Sequence, residues 1–115
     1  MKYDVVYTPR FLKECRKNNL YKNNKFHPKI AKAVKYLESG EKLPSGFRDH
    51  TLSKDKYNKE EFEKQIDGVV GQLREFHIDN NYVMIYKQYD ANVYVIEALH
   101  AGKHKDILHN SIQLN

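Results

Sequence analysis

Among its 115 residues the chain has 1 cysteine, 3 prolines, 5 glycines and no tryptophan. A single cysteine, Cys15, makes neither an internal disulfide nor a multi-thiolate metal site. That excludes the framework of a small secreted domain and fits a reducing compartment. Cys15 reads as a small apolar residue. No Cys/His set has zinc spacing and no glycine-rich loop follows a strand-like run, so metal hydrolysis and nucleotide binding lose ground. No apolar run approaches the ~20 residues of a membrane-spanning helix, and the start, MKYDVVYTPR, has charge within its one short apolar stretch. A soluble, cytoplasmic chain with no membrane role is expected. Repeats and low-complexity tracts are also missing, and the length suits one domain over residues 1–115.

What the sequence has is charge. Charged residues make up 30%, and the mean hydropathy is -0.83, yet 40% hydrophobic and 12% aromatic residues keep the composition globular. The net charge of +5 is unevenly spread: residues 1–50 hold 12 Lys/Arg against 5 Asp/Glu, and residues 51–115 hold 8 against 10. Concentrated cations suit a polyanion or an acidic protein partner, through counterion release and steering. A solvated lysine face that keeps the domain soluble is the plainer alternative.

Tyr3 to Tyr7 reads as a strand, ended by Thr8-Pro9, an N-cap with proline at the first helical position. In the helix that follows, Phe11, Leu12 and Cys15 form the apolar stripe, and Arg10, Lys13, Arg16 and Lys17 the outer face. Leu20 misses that stripe, and Asn18-Asn19 predicts fraying. A second helix starts at His27-Pro28, carries Ile30, Val34 and Leu37 inward, with Lys29, Lys32 and Lys35 off the stripe, and stops at Ser39-Gly40. Gly40 to Thr51 is a loop. Lys54 to Asp67 is either a mobile surface loop or a short charged helix over Glu60 to Ile66. Val69 to Ile78, Tyr82 to Tyr89 and Val93 to His100 are β-rich runs separated by Asp79-Asn80-Asn81 and Asp90-Ala91-Asn92, which predicts an antiparallel meander. Alternation puts Val83, Ile85 and Lys87 on one face and Tyr82, Met84 and Tyr86 on the other, one face for the helices and one showing aromatics to a ligand. Gly102 to Leu114 predicts a short C-terminal helix. The expected class is α+β: an N-terminal strand and a helical hairpin packed on an antiparallel sheet.

Of six histidines, three stand at element ends: His50 closing a loop, His77 near a strand end, and His104 past the last strand. In a meander such ends converge on one sheet edge. Imidazole donates and accepts protons near neutrality, so this cluster beside Arg74, Lys87 and Lys103 suits phosphodiester cleavage. RNA brings its own nucleophile, the 2′-hydroxyl, and needs no metal or other cofactor for that route. An isolated histidine is more often structural, as His27 and His109 are taken to be, and Tyr82 and Tyr86 taken singly suit sheet packing better than base stacking.

The ordered motifs Arg48-Asp49-His50-Thr51-Leu52, Arg74-Glu75-Phe76-His77-Ile78, Asn81-Tyr82-Val83-Met84-Ile85-Tyr86-Lys87 and Gly102-Lys103-His104, with Leu108 four residues on, resemble the YafQ branch of the RelE/ParE toxin superfamily. The resemblance covers nearly the whole chain. It implies a RelE-like fold and a type II toxin, a ribosome-dependent endoribonuclease (mRNA interferase) held inactive by a cognate antitoxin. Carried over by motif, His50, His77 and His104 resemble the active-site histidines, with Glu75 at a position where members carry an acidic residue. Tyr82 matches a position usually held by tryptophan. Asn81 replaces an aspartate, Leu108 an aromatic and His100 an arginine, so the last would bind phosphate in a pH-dependent way. The substrate set so implied is Arg74, Asn81, Tyr82, Lys87, His100, Lys103 and Leu108. Arg10, Lys13, Arg16, Lys17, Lys32 and Lys35 would track ribosomal RNA. Two other readings stay open: a ParE-like gyrase poison, and a non-catalytic RNA-binding or translation-regulating module.

Overall fold

The computed structural model describes residues 2–20, 22, 26–52, 65–66, 69–90 and 94–103. They form β1 (Asp4–Tyr7), α1 (Pro9–Lys17), α2 (His27–Ser39), a 3-10 turn (Ser45–Phe47), β2 (His50–Thr51), β3 (Gln65–Ile66), β4 (Val69–Val70), β5 (Gln72–His77), β6 (Tyr82–Asp90) and β7 (Tyr94–Lys103). Five strands make one sheet in the order β1-β7-β6-β5-β2, and β3 and β4 pair separately. The class is α+β, as expected, but the sheet is mixed. The meander β5-β6-β7 is antiparallel, whereas β1 runs parallel to β7, from Asp4 opposite Val95 to Tyr7 opposite Ala98. Tight turns force antiparallel neighbours, and β1 is free of that constraint because helices, not a turn, follow it.

Local chemistry sets the helix ends. The Thr8 hydroxyl accepts from the Phe11 amide at 3.1 Å and Pro9 opens α1. The predicted fraying after α1 is replaced by an ordered cap. Asn19 takes a left-handed conformation (φ 57), its amide donates to Arg16 O and that of Leu20 to Cys15 O at 2.9 Å. This Schellman pairing folds Leu20 back under the helix, where it is fully buried although it lies off the stripe. α2 stops at Gly40, whose φ of 77 suits glycine.

One face of the sheet carries the helices. Phe11, Cys15, Ile30, Ala33 and Leu37 pack there against Phe76, Met84, Tyr86, Ile96 and Ala98. The opposite face holds a second cluster of Leu52, Leu73, Val83, Ile85 and Leu99. The expected assignment of faces is therefore corrected: the tyrosine-bearing side of β6 is the helix side, because its bulky rings fill the thicker layer. A bulge leaves Leu99 without an opposite residue, between Ile85 paired with His100 and Tyr86 paired with Ala98. It resets the alternation, so Ala98 and Ala101 both reach the helix core.

The predicted strand from Val69 is cut at Gly71, and the segment read as loop contributes β2. The Asp79 carboxylate accepts from the amides of Asn81 and Tyr82 at 2.7 and 2.9 Å and closes the β5–β6 turn as expected. Gly102 and Lys103, predicted to open a C-terminal helix, instead extend β7, and Gln65–Ile66, expected in a loop or short helix, form β3. Most of the second turn, the rest of Lys54 to Asp67, His104, Leu108 and the remainder of the predicted C-terminal helix lie outside the described residues. No helix among the described residues is long and apolar enough to cross a membrane.

Candidate active site

The site is assembled by strand register. His50 of β2 pairs with Glu75 of β5, which pairs with Ile85 of β6, which pairs with His100 of β7. Directly paired residues share a face, and His77, two residues beyond Glu75, shares it too. His50 Nε2 lies 3.2 Å and His77 Nε2 3.6 Å from the same oxygen, Glu75 Oε1. The two imidazoles stack with centroids 6.2 Å apart and planes at 30°. Glu75 is buried, His77 is 15% exposed and His50 48% exposed, so the cluster grades from protein interior to solvent.

The segment that carries His50 is pinned from the helix side. Asp49 accepts from the Tyr86 hydroxyl at 2.6 Å and from Arg74 Nη2 at 2.7 Å, and Arg74 Nη1 donates to Thr51 at 2.9 Å. Burial, and next the bond to Asp49, push the Tyr86 hydroxyl far above its ordinary range, so it stays a donor. Burial works against the Arg74 cation, but its contacts with Asp49 more than offset this and raise its pKa. Arg48, just before, sets its Nη2 3.2 Å from His77 Nδ1 and its carbonyl 2.8 Å from His50 Nδ1.

Beside His77 opens a cleft of about 240 Å³ lined by Lys29, Lys32, Pro44, Gly46, Phe47 and Ile78. Both lysines are exposed and one helical turn apart on α2. The cleft thus offers two cations and an apolar wall next to an imidazole, a combination that suits a nucleotide phosphate and its base.

A family model described as bacterial toxin of type II toxin-antitoxin system, YafQ, matches residues 3–109. The chain belongs to the YafQ family of type II toxins. Solved structures share the fold of this YafQ-family chain. A metal-bound toxin from Helicobacter pylori is 18% identical, with a TM-score of 0.67 over 93% of this chain and 99% of that one. The E. coli DinJ-YafQ toxin-antitoxin complex is 18% identical, with 0.65 over 93% and 98%. The YoeB dimer from Staphylococcus aureus is 12% identical, with 0.57 over 90% and 99%. At these identities the likeness is one of fold. No curated protein matches significantly in sequence.

Of the residues that the YafQ motifs single out, His50, His77 and Glu75 come together, and Lys32 lines the cleft beside them. Others have partners within the protein. Arg74 is held by Asp49, Thr51 and Gln72. The half-buried Tyr82 ring packs on Phe26 with centroids 4.7 Å apart and planes tilted at 47°. Lys87 is fully buried with its Nζ over the Tyr89 ring at 5.6 Å, and His100 is buried with Nδ1 3.0 Å from Glu14 Oε1. Both are closed to a substrate in this arrangement. Asn81 and Lys103 are exposed at strand ends. Lys13, Arg16, Lys17 and Lys35 are exposed and Arg10 half-buried. Arg48, Asp49 and Lys29 were missed as site residues; the first two adjoin His50 in the motif, and Lys29 stands three residues before Lys32, which was signal enough.

Among the described residues no group of three or more His, Cys, Asp and Glu side chains is arranged to hold a metal ion.

Proposed function

We propose that this toxin is an endoribonuclease that cuts mRNA on the ribosome through histidine acid/base chemistry, without a resident metal, and that a cognate antitoxin restrains it in the cytoplasm. The observation that carries the reading is a pair of imidazoles sharing one buried carboxylate, with one of them, His77, lining a cleft beside Lys29 and Lys32. Two proton-transfer groups beside a phosphate seat are what in-line attack by a 2′-hydroxyl requires, because the RNA supplies the nucleophile. The products would be a 2′,3′-cyclic phosphate, or the 3′-phosphate derived from it, and a 5′-hydroxyl. His104, from the family motif, would be a third member, with Asn81, Lys103 and Leu108 near the mRNA. The exposed cations of α1 and α2 would meet ribosomal RNA. The E. coli DinJ-YafQ toxin-antitoxin complex supports a protein partner of that kind for this chain.

The test is cleavage of a defined mRNA on bacterial ribosomes with 5′ ends mapped. His50→Ala, His77→Ala and His104→Ala should each lower the cutting rate about 10²–10⁴-fold while ribosome retention stays near the parental level. Parental rates in all three variants would remove the histidines from the chemistry, and a parent that binds ribosomes but leaves mRNA whole would remove the activity.

A further inference from the structure

Arg48 touches both histidines, through different groups. Its Nη2 faces His77 Nδ1 at 3.2 Å and its backbone carbonyl faces His50 Nδ1 at 2.8 Å. It reaches both because its backbone is left-handed, φ 50 and ψ 43, at the end of the 3-10 turn, where its amide donates to Ser45 O. A non-glycine residue in that region is strained, and strain that persists beside a candidate site points to a role.

Donor and acceptor rules then fix the protons. A guanidinium only donates, so the nitrogen facing it is a bare lone pair; a carbonyl only accepts, so the nitrogen facing it carries hydrogen. His77 therefore keeps its proton on Nε2, towards Glu75, and His50 keeps one on Nδ1. His50 Nε2, the other ring nitrogen, lies 3.2 Å from Glu75 Oε1 and can form an ion pair with it only when the ring is protonated there too. We infer that Arg48 is a positioning residue that holds the two imidazoles in opposite tautomeric senses: a bare Nδ1 on His77 and a protonated Nδ1 on His50.

The charged groups facing His77 agree. Arg48, and Lys29 and Lys32 across the cleft, disfavour an imidazolium there, while Glu75 and His50 lie on the other side of the ring. The chemical use of this arrangement rests on the ribonuclease reading. The 2′-hydroxyl proton would pass to His77 Nδ1 as O2′ bonds to phosphorus. The P–O5′ bond would break with its electron pair on O5′, and that oxygen would take the Nε2 proton of a His50 ring protonated at both nitrogens, which returns to the Nδ1–H form. A phosphate is a stronger partner for a guanidinium than a neutral imidazole is, so arriving RNA would draw Arg48 away and release the base.

The test variant is Arg48→Gly, which suits the left-handed backbone, keeps the backbone carbonyl and removes the side chain with its guanidinium; Arg48→Lys puts a stem and a cation back. Long-range 1H–15N spectra of the histidine-labelled chain between about pH 5 and 9 read tautomer and titration midpoint, with rings assigned through His50→Gln and His77→Gln. In the parent, His77 should show the Nε2–H tautomer. In Arg48→Gly that single tautomer should be lost and the His77 midpoint should rise by about 1 pH unit or more, with partial return in Arg48→Lys. His50 should keep Nδ1–H throughout, and the acidic limb of the mRNA-cutting profile should move with His77. A parental His77 protonated at Nδ1, or a midpoint unmoved in Arg48→Gly, overturns the inference. A parent that titrates as described but cuts no mRNA overturns the ribonuclease reading and leaves Arg48 in place.

Discussion

Tyr86 shows how one hydroxyl ties the scaffold to the site. It is buried among the helix-side apolar residues and donates to Asp49, the neighbour of both Arg48 and His50. A buried hydrogen bond to a charged group contributes about 1.5–3 kcal/mol, so Tyr86→Phe should lower the unfolding free energy by about that amount. The same residue sets an alkaline limit. Its pKa is raised in the fold by burial and then by Asp49, and that of Tyr89 by burial and then by Glu97, so the native state keeps protons that the unfolded chain releases above pH 10. Stability from these groups is full below pH 10 and falls as pH rises, by up to about 1.4 kcal/mol per pH unit for each tyrosine. Tyr7 is raised as well, by burial first, so urea titrations across that range should show a shallower but not absent slope in Tyr86→Phe; an unchanged slope would clear Tyr86 of the effect. His77 stood out in the sequence as a histidine near a strand end, and Glu75 entered only through the resemblance to the YafQ branch. That His50 pairs with Glu75 was not legible, since strand pairing over that separation leaves no mark in either segment.

Gly71 marks where the predicted strand divides into β4 and β5, and the division has a steric cause. A Cβ there would come within 2.9 Å of Gln88 O, Lys87 Cγ and Tyr89 Cε1, so the residue lets β6 pass close by. Gly71→Ala should therefore destabilise by about 1–3 kcal/mol, as overpacking does. Gly46→Ala, with nothing within 4 Å of its added carbon, is the matched control. Equal melting temperatures for the two variants would contradict the close approach. The elements that sequence reading caught are those with strong local signals: the Thr8-Pro9 start, the Gly40 stop, the Asp79 turn and the alternation of β6. It missed β2, because two residues hold no periodicity, and the burial of Leu20, because the wheel ends before the cap that turns the chain back. The faces of β6 were exchanged because alternation separates two sets of side chains without saying which set meets the helices.

Charge belongs to the molecule as a whole. Lys13, Arg16 and Lys17 on α1 and Lys32 and Lys35 on α2 are exposed, as the helical stripes required. If they meet ribosomal RNA, changing all five to glutamine should weaken ribosome retention and reduce the slope of log affinity against log salt by about 0.7–0.9 for each phosphate that is no longer neutralised. Retention measured across a potassium chloride series reads this directly, and an unaltered slope would assign docking to another surface. The parallel pairing of β1 with β7 has a further consequence, in time. Residues 4–7 find their partners only at residues 95–98, and pairings so far apart in sequence form late. While the chain is being synthesised, β1 has no strand to join until β7 has been made, and the β2–β5 pair that unites His50 with Glu75 hangs on a sheet that is still incomplete. A growing chain of this toxin therefore closes its sheet at β1 only after residues 95–98 have been made, so an early strand waits for a late partner.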